Sequence, residues 1–73
     1  EMTNIAKSTL DYIKESVRNK NISGNYNDTE TINDYEIRKI VEEDEYYYKC
    51  YKIVIEVKKK EQIRRLESYV LQQ

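Results

Sequence analysis

Histidine, phenylalanine, tryptophan and proline are absent from this 73-residue chain, and cysteine, glycine and methionine occur once each. Without histidine the chain lacks the side chain whose unperturbed pKa best suits proton transfer near neutral pH, and which most often ligates metals. Hydrolase triads and most zinc sites are excluded, and no cofactor or metal is expected. The acids Glu42, Glu43, Asp44 and Glu45 supply carboxylates, but they cluster in an apparent turn where water keeps them ordinary, so the chain reads as a non-enzyme. Cys50 has no second cysteine to pair with, which fits a reducing, cytoplasmic setting. A reactive thiolate needs an electropositive partner and a base, and with no histidine present the thiol reads as a packing group and not a nucleophile.

Apolar length is also scarce. The longest uncharged apolar run is Ile53 to Ile55, far short of the ~20 residues that span a bilayer. No charged-then-apolar leader opens the chain, so a soluble, untargeted protein is expected. Glu1 ahead of Met2 reads as an addition before a natural start and is left out of the fold reasoning. Ile, Val and Leu number 17 of 73, which permits one small domain with a small core.

What the chain has is tyrosine and charge. Eight tyrosines and a net charge of −1 favour a folded domain over a disordered one. Asn, Lys, Ile and Tyr are abundant and share A/T-rich codons, which suggests a low-GC bacterium or one of its phages or plasmids.

Residues 3–19 are expected to form an amphipathic helix, because Ala6, Leu10, Ile13 and Val17 recur at steps of four, three and four. Thr3 or Asn4 can cap it, and Glu15 to Arg18 offers an i,i+3 pair. Residues 20–33, rich in Asn, Ser, Thr and Asp and holding Gly24, read as a long loop with at most a short strand from Ile22 to Tyr26. Tyr46 to Val57 reads as a strand. Tyr35 to Val41 fits a strand face or a helix face, and Asn33 to Glu36 resembles a capping box. The long strand's need for a ladder partner favours a hairpin over residues 34–57. A three-residue turn would set Val41 opposite Tyr47, Ile37 opposite Tyr51 and Tyr35 opposite Ile53. Ile63, Leu66 and Val70, at steps of three and four, suggest a second helix over residues 58–72. The expected fold is α+β: a small antiparallel sheet covered on one face by an N-terminal and a C-terminal helix.

Charge is segregated along the chain. Residues 27–45 carry −6, residues 46–73 carry +4 and residues 1–26 carry +1. Lys58, Lys59, Lys60, Arg64 and Arg65 at the start of the expected second helix would oppose its dipole, and a phosphate there would reverse that cost. A solvated charged face is the plainer reading. Tyr46, Tyr48, Cys50, Lys52 and Val54, with Arg38 and Ile40 across the hairpin, are expected on the sheet face opposite the core. Aromatics interleaved with cations there suit either protein contact or base stacking, unless another layer covers them.

The helix–strand–strand–helix order resembles double-stranded-RNA-binding domains in topology alone. No Gly-rich second-strand turn and no loop histidine are present, and only Lys58-Lys59-Lys60 stands for that family's basic helix start. No membership follows.

The leading expectation is a non-catalytic interaction protein of a phage or mobile element. It would bind and block or modulate a host protein or nucleoprotein complex, as an anti-defence inhibitor does. Tyr46, Tyr48, Arg38, Lys52 and the acids Glu42 to Glu45 would form its contact surface, the acids imitating a phosphate backbone. The alternative is a nucleic-acid-binding regulator using Lys58 to Lys60, Arg64 and Arg65. A homodimer joined through a free strand edge or the tyrosine face is a third option.

Overall fold

In a computed structural model, residues 1–72 are described. The apolar stripe read from the sequence becomes helix α1, Met2–Arg18, which buries Ala6, Ile13, Ser16 and Val17 and half-buries Met2, Ile5 and Leu10. Glu15 and Arg18 form the expected i,i+3 ion pair at 3.0 Å. The helix ends where Lys20 turns to φ 65°, which lets the Asn21 and Ile22 N–H groups donate back to the Ser16 carbonyl at 2.8 and 3.2 Å. Carbonyls of the last turn are satisfied in this way without a glycine.

Four strands follow: β1 (Tyr26–Ile32), β2 (Tyr35–Glu43), β3 (Cys50–Lys59) and β4 (Gln62–Leu71). They form one antiparallel sheet whose spatial order repeats the chain order. Strand β3 lies inside the sheet and supplies more of the core than any other element. Tyr51, Ile53, Ile55 and Val57 point toward α1 and are buried with Ile37 and Val41 of β2 and Val70 of β4. The helix lies over β3 and β4 alike. Among the described residues no helix is long and apolar enough to cross a membrane.

The expected second helix over residues 58–72 is overturned, and with it the two-helix α+β fold and the topological resemblance to double-stranded-RNA-binding domains. Residues 62–71 are a strand, and among the described residues only α1 covers the sheet. Ile63, Leu66 and Val70 have helical spacing, but the pleat sends Leu66 and Val70 to the inner face and Ile63 to the outer one, where it is 58% exposed. The deciding influence is β3, whose backbone needs hydrogen-bond partners on both edges. The long loop over residues 20–33 is corrected too, since it ends at Asn25 and β1 begins at Tyr26.

Residues 35–43 are a strand, as the hairpin required, but in another register. Val41 faces Ile53 and not Tyr47, and Ile37 faces Val57 and not Tyr51. The displacement is six residues, an even number, so every side chain keeps its face. Tyr47, expected in the core, is 69% exposed, because β3 begins at Cys50 and the tyrosines precede it.

The turns explain the boundaries. Asn33 and Asp34 join β1 to β2 with φ of 49° and 71°, the two positive values of a I′ hairpin turn. This pair, and not a capping box, is what Asn33 to Glu36 encodes. Lys60 and Glu61 join β3 to β4, and Lys60 alone has positive φ, at 56°, a position where hairpins prefer glycine. Replacing Lys60 by glycine should raise stability by about 0.5–1 kcal/mol, the left-handed strain relieved less the glycine's entropy. A higher urea midpoint at unchanged slope is the expected readout.

Candidate functional site

The connection between β2 and β3 is held by Asp44. Its N–H donates to the Cys50 carbonyl at 2.9 Å, and its carboxylate Oδ1 accepts the N–H groups of Tyr46 at 2.7 Å and Tyr47 at 3.0 Å. The Cys50 N–H donates to the Tyr47 carbonyl at 3.2 Å, Lys49 adopts φ 59°, and its carbonyl accepts the Gln72 N–H at 2.8 Å. Side-chain capping of successive amides is how aspartate nucleates turns. The result is a loop with a fixed backbone whose side chains face water.

Tyr46, Tyr47 and Tyr48 are 86%, 69% and 88% exposed. Tyr51, a turn further on, is buried under α1, so tyrosine itself can enter this core and the three loop rings are outside it by placement. Lys49 lies 5.6 Å from the Tyr48 ring centroid. Tyr69 and Leu71 at the end of β4, also exposed, lie opposite Lys52 and Cys50 on the neighbouring strand. Aromatic and aliphatic surface therefore gathers at one end of the sheet, with the exposed acids Glu42, Glu43 and Glu45 beside it.

Each residue expected in the contact surface has a definite place. Tyr46 and Tyr48 are not on the sheet face, because they stand in the loop. Glu42, Glu43 and Glu45 flank that loop, whereas Asp44 is spent on capping it. Arg38, Ile40, Cys50, Lys52 and Val54 do share the face opposite α1, but the ions among them are paired. Arg38 lies 4.0 Å from Glu56, Glu56 is 3.0 Å from Arg65, Arg65 is 3.0 Å from Glu67, and Glu67 is 3.5 Å from Lys52. Beneath this ladder Val54 is buried. The Arg65 hydrogen bond, and then the Lys52 charge, hold the Glu67 carboxyl below its ordinary range. Arg38 and Lys52 thus face their own sheet and not the tyrosines.

The five cations of the expected helix start are dispersed by the β3–β4 hairpin. Lys58 and Arg65 share the outer face, Lys59 and Arg64 the inner one, and Lys60 sits in the turn. Lys59 lies 4.8 Å from the Tyr35 ring centroid. With no helix there, the dipole argument for a bound phosphate lapses. Lys59, Lys60 and Arg64 instead line a recess beside the start of α1 that also holds Glu1 and Glu61.

One inward-facing ion was missed. Lys39 points to the α1 side of the sheet between Ile37 and Val41, its side chain 13% exposed, and its ammonium reaches Glu30 at 2.7 Å and Asp28 at 3.6 Å. The sequence signal was the alternation Asp28, Glu30 on one strand and Lys39 on the next, visible only once β1 is recognised. Among the described residues no group of three potential metal ligands exists. No known protein family, curated protein or solved structure matches the chain.

The Glu30 hydrogen bond, aided by the charges of Glu30 and Asp28 and opposed by burial, raises the Lys39 pKa above its ordinary 10.5. A raised folded value means that this stabilisation is complete below pH 10.5 and is lost as pH rises through the folded value. Lys39→Met should therefore show a stability difference from the parent that is flat from pH 7 to about 10 and changes only above it, followed by urea unfolding. The charge of Tyr26 also raises the Lys39 value, so both proteins should carry Tyr26→Phe for the difference to report Lys39 alone.

Proposed function

We propose that this chain is a non-catalytic interaction protein that occupies a surface on another macromolecule through the tyrosine loop. The observation that carries the reading is three consecutive tyrosines, 69% to 88% exposed, on a backbone pinned by Asp44. Tyrosine brings large contact area at small entropic cost, and a pinned loop loses little further freedom on binding. Tyr69 and Leu71 extend the apolar part of the surface on the outer face, where Glu42 and, in the loop, Glu45 supply acidic charge, while Glu43 lies on the α1 side. Such charge suits a partner with a basic surface, including a nucleic-acid-binding host protein or a nucleoprotein complex.

The composition, rich in residues with A/T-rich codons, and the lack of histidine support a small phage or mobile-element inhibitor directed at such a host target. The nucleic-acid alternative draws less support, since Arg65 is paired within the sheet and the recess lined by Lys59, Lys60 and Arg64 also holds the acids Glu1 and Glu61.

The test is a paired capture from a low-GC bacterial lysate treated with nuclease, using the parent and a Tyr46→Ala, Tyr48→Ala double variant. Both rings are outside the core, so the urea midpoint should move by less than about 0.5 kcal/mol equivalent. The parent should retain a defined protein that the variant holds at least about 30-fold more weakly, the loss of one interface hot spot. Equal retention by both proteins, or retention of nuclease-sensitive material alone, would refute the reading.

A further inference from the structure

We propose that β4 pairs antiparallel with β4 of a second copy about a two-fold axis at Leu66, joining two sheets into one of eight strands. This interface lies on a different strand edge from the tyrosine loop and does not depend on that loop's function.

The two edges of the sheet are unlike. Strand β1 places Asp28 and Glu30 on the same face, two residues apart. Any two-fold pairing about the middle of that strand sets one of these acids against itself or against the other. Strand β4 has no such guard. It contains no proline and no lysine, and its ladder with β3 runs unbroken from Cys50↔Leu71 to Lys59↔Gln62, with no bulge to turn the edge away. Proline, lysine and bulges are among the devices that keep an edge from pairing, and the inward-facing Arg64, which could act as another, would stand opposite the uncharged Ser68 of the second copy.

Self-pairing can use only alternate registers, because side-chain face and hydrogen-bond direction must both match. With the axis at Leu66, Arg65 faces Glu67 of the second copy and Glu67 faces its Arg65, so two charge pairs form at once. The same register sets Ile63 opposite the second copy's Tyr69, twice. Ile63 and Tyr69 are each 58% exposed in the single chain, and an aliphatic–aromatic pair of this kind stabilises antiparallel ladders.

Moving the axis by one residue destroys the match. An axis at Arg65 puts arginine against arginine, and an axis at Glu67 puts glutamate against glutamate. Within the single chain Arg65 gives Nε to Glu67 and Nη1 to Glu56, and a guanidinium has a further nitrogen to donate. Helix α1 lies over β3 and β4 alike, so the pairing would bring it beside its symmetry mate on the same face of the joined sheet.

Sedimentation of the full chain over micromolar to submillimolar concentration should show a species of twice the 8.9 kDa chain mass. A monomer throughout overturns the proposal. Arg65→Glu and Glu67→Arg, each alone, set like charges across the axis and should weaken dimerisation at least about tenfold. Mixing the two variants sets glutamates against arginines and should restore a heterodimer. Dimerisation of either variant at parental strength, or a mixture of two folded variants that stays monomeric, contradicts the register. Hydrogen exchange of the parent gives a reading that needs no variant. The alternate amides of Gln62–Leu71 directed away from β3 should exchange more slowly as concentration rises, and rates independent of concentration rule the pairing out.

Discussion

The backbone of Tyr51 to Val57 needs hydrogen-bond partners along both edges and an apolar cover on one face, and meeting those needs places every other element. Strand β2 takes one edge and β4 the other, while α1 closes over Tyr51, Ile53, Ile55 and Val57. Among the described residues, the opposite face has Val54 alone as its buried apolar group. It is shielded by a charge ladder and not by a third layer, so Arg38, Lys52, Glu56, Arg65 and Glu67 do structural work that a larger protein would leave to hydrophobic residues. Exposed pairs of this kind contribute little singly, and their effect lies in linking three neighbouring strands.

The sheet also redistributes the charge. In the sequence, acids and bases occupy separate stretches, which suggests two oppositely charged patches. Antiparallel folding lays those stretches side by side, so that Lys39 meets Asp28 and Glu30, and Glu56 meets Arg65. Among the described residues, the exposed acids Glu42, Glu43 and Glu45 beside the tyrosine loop take no part in such pairs.

Helix α1 was legible because Ala6, Ile13 and Val17 are buried on one stripe with Leu10 half-buried beside them, which is the pattern that helical periodicity reports. The open-face set of Arg38, Ile40, Cys50, Lys52 and Val54 was legible as well, since an even error in register leaves faces unchanged. Strand β4 was not. Only Val70 of its ten residues is buried, so an edge strand of this kind writes almost no alternation into its sequence, and three apolar residues fell by coincidence at helical steps. The tyrosines were misplaced for a different reason. Their high β-propensity extended β3 backward to Tyr46, while the information that ends the strand resides in the Asp44 carboxylate and the left-handed Lys49, which are local and easily outvoted. Three adjacent aromatics pointing to both sides of a half-buried strand were the clue that they belonged to no strand.

Because strand order repeats chain order, the sheet can assemble hairpin by hairpin from contacts close in sequence, as fast-folding topologies do. The helix cannot. Its apolar stripe is made first during synthesis and must wait for β3 and β4, and the final tie is the Gln72 side chain donating to the carbonyls of Val17 and Ile22 across fifty or more residues. On the ribosome the nascent chain therefore carries an uncovered amphipathic helix until residues 62–72 have emerged.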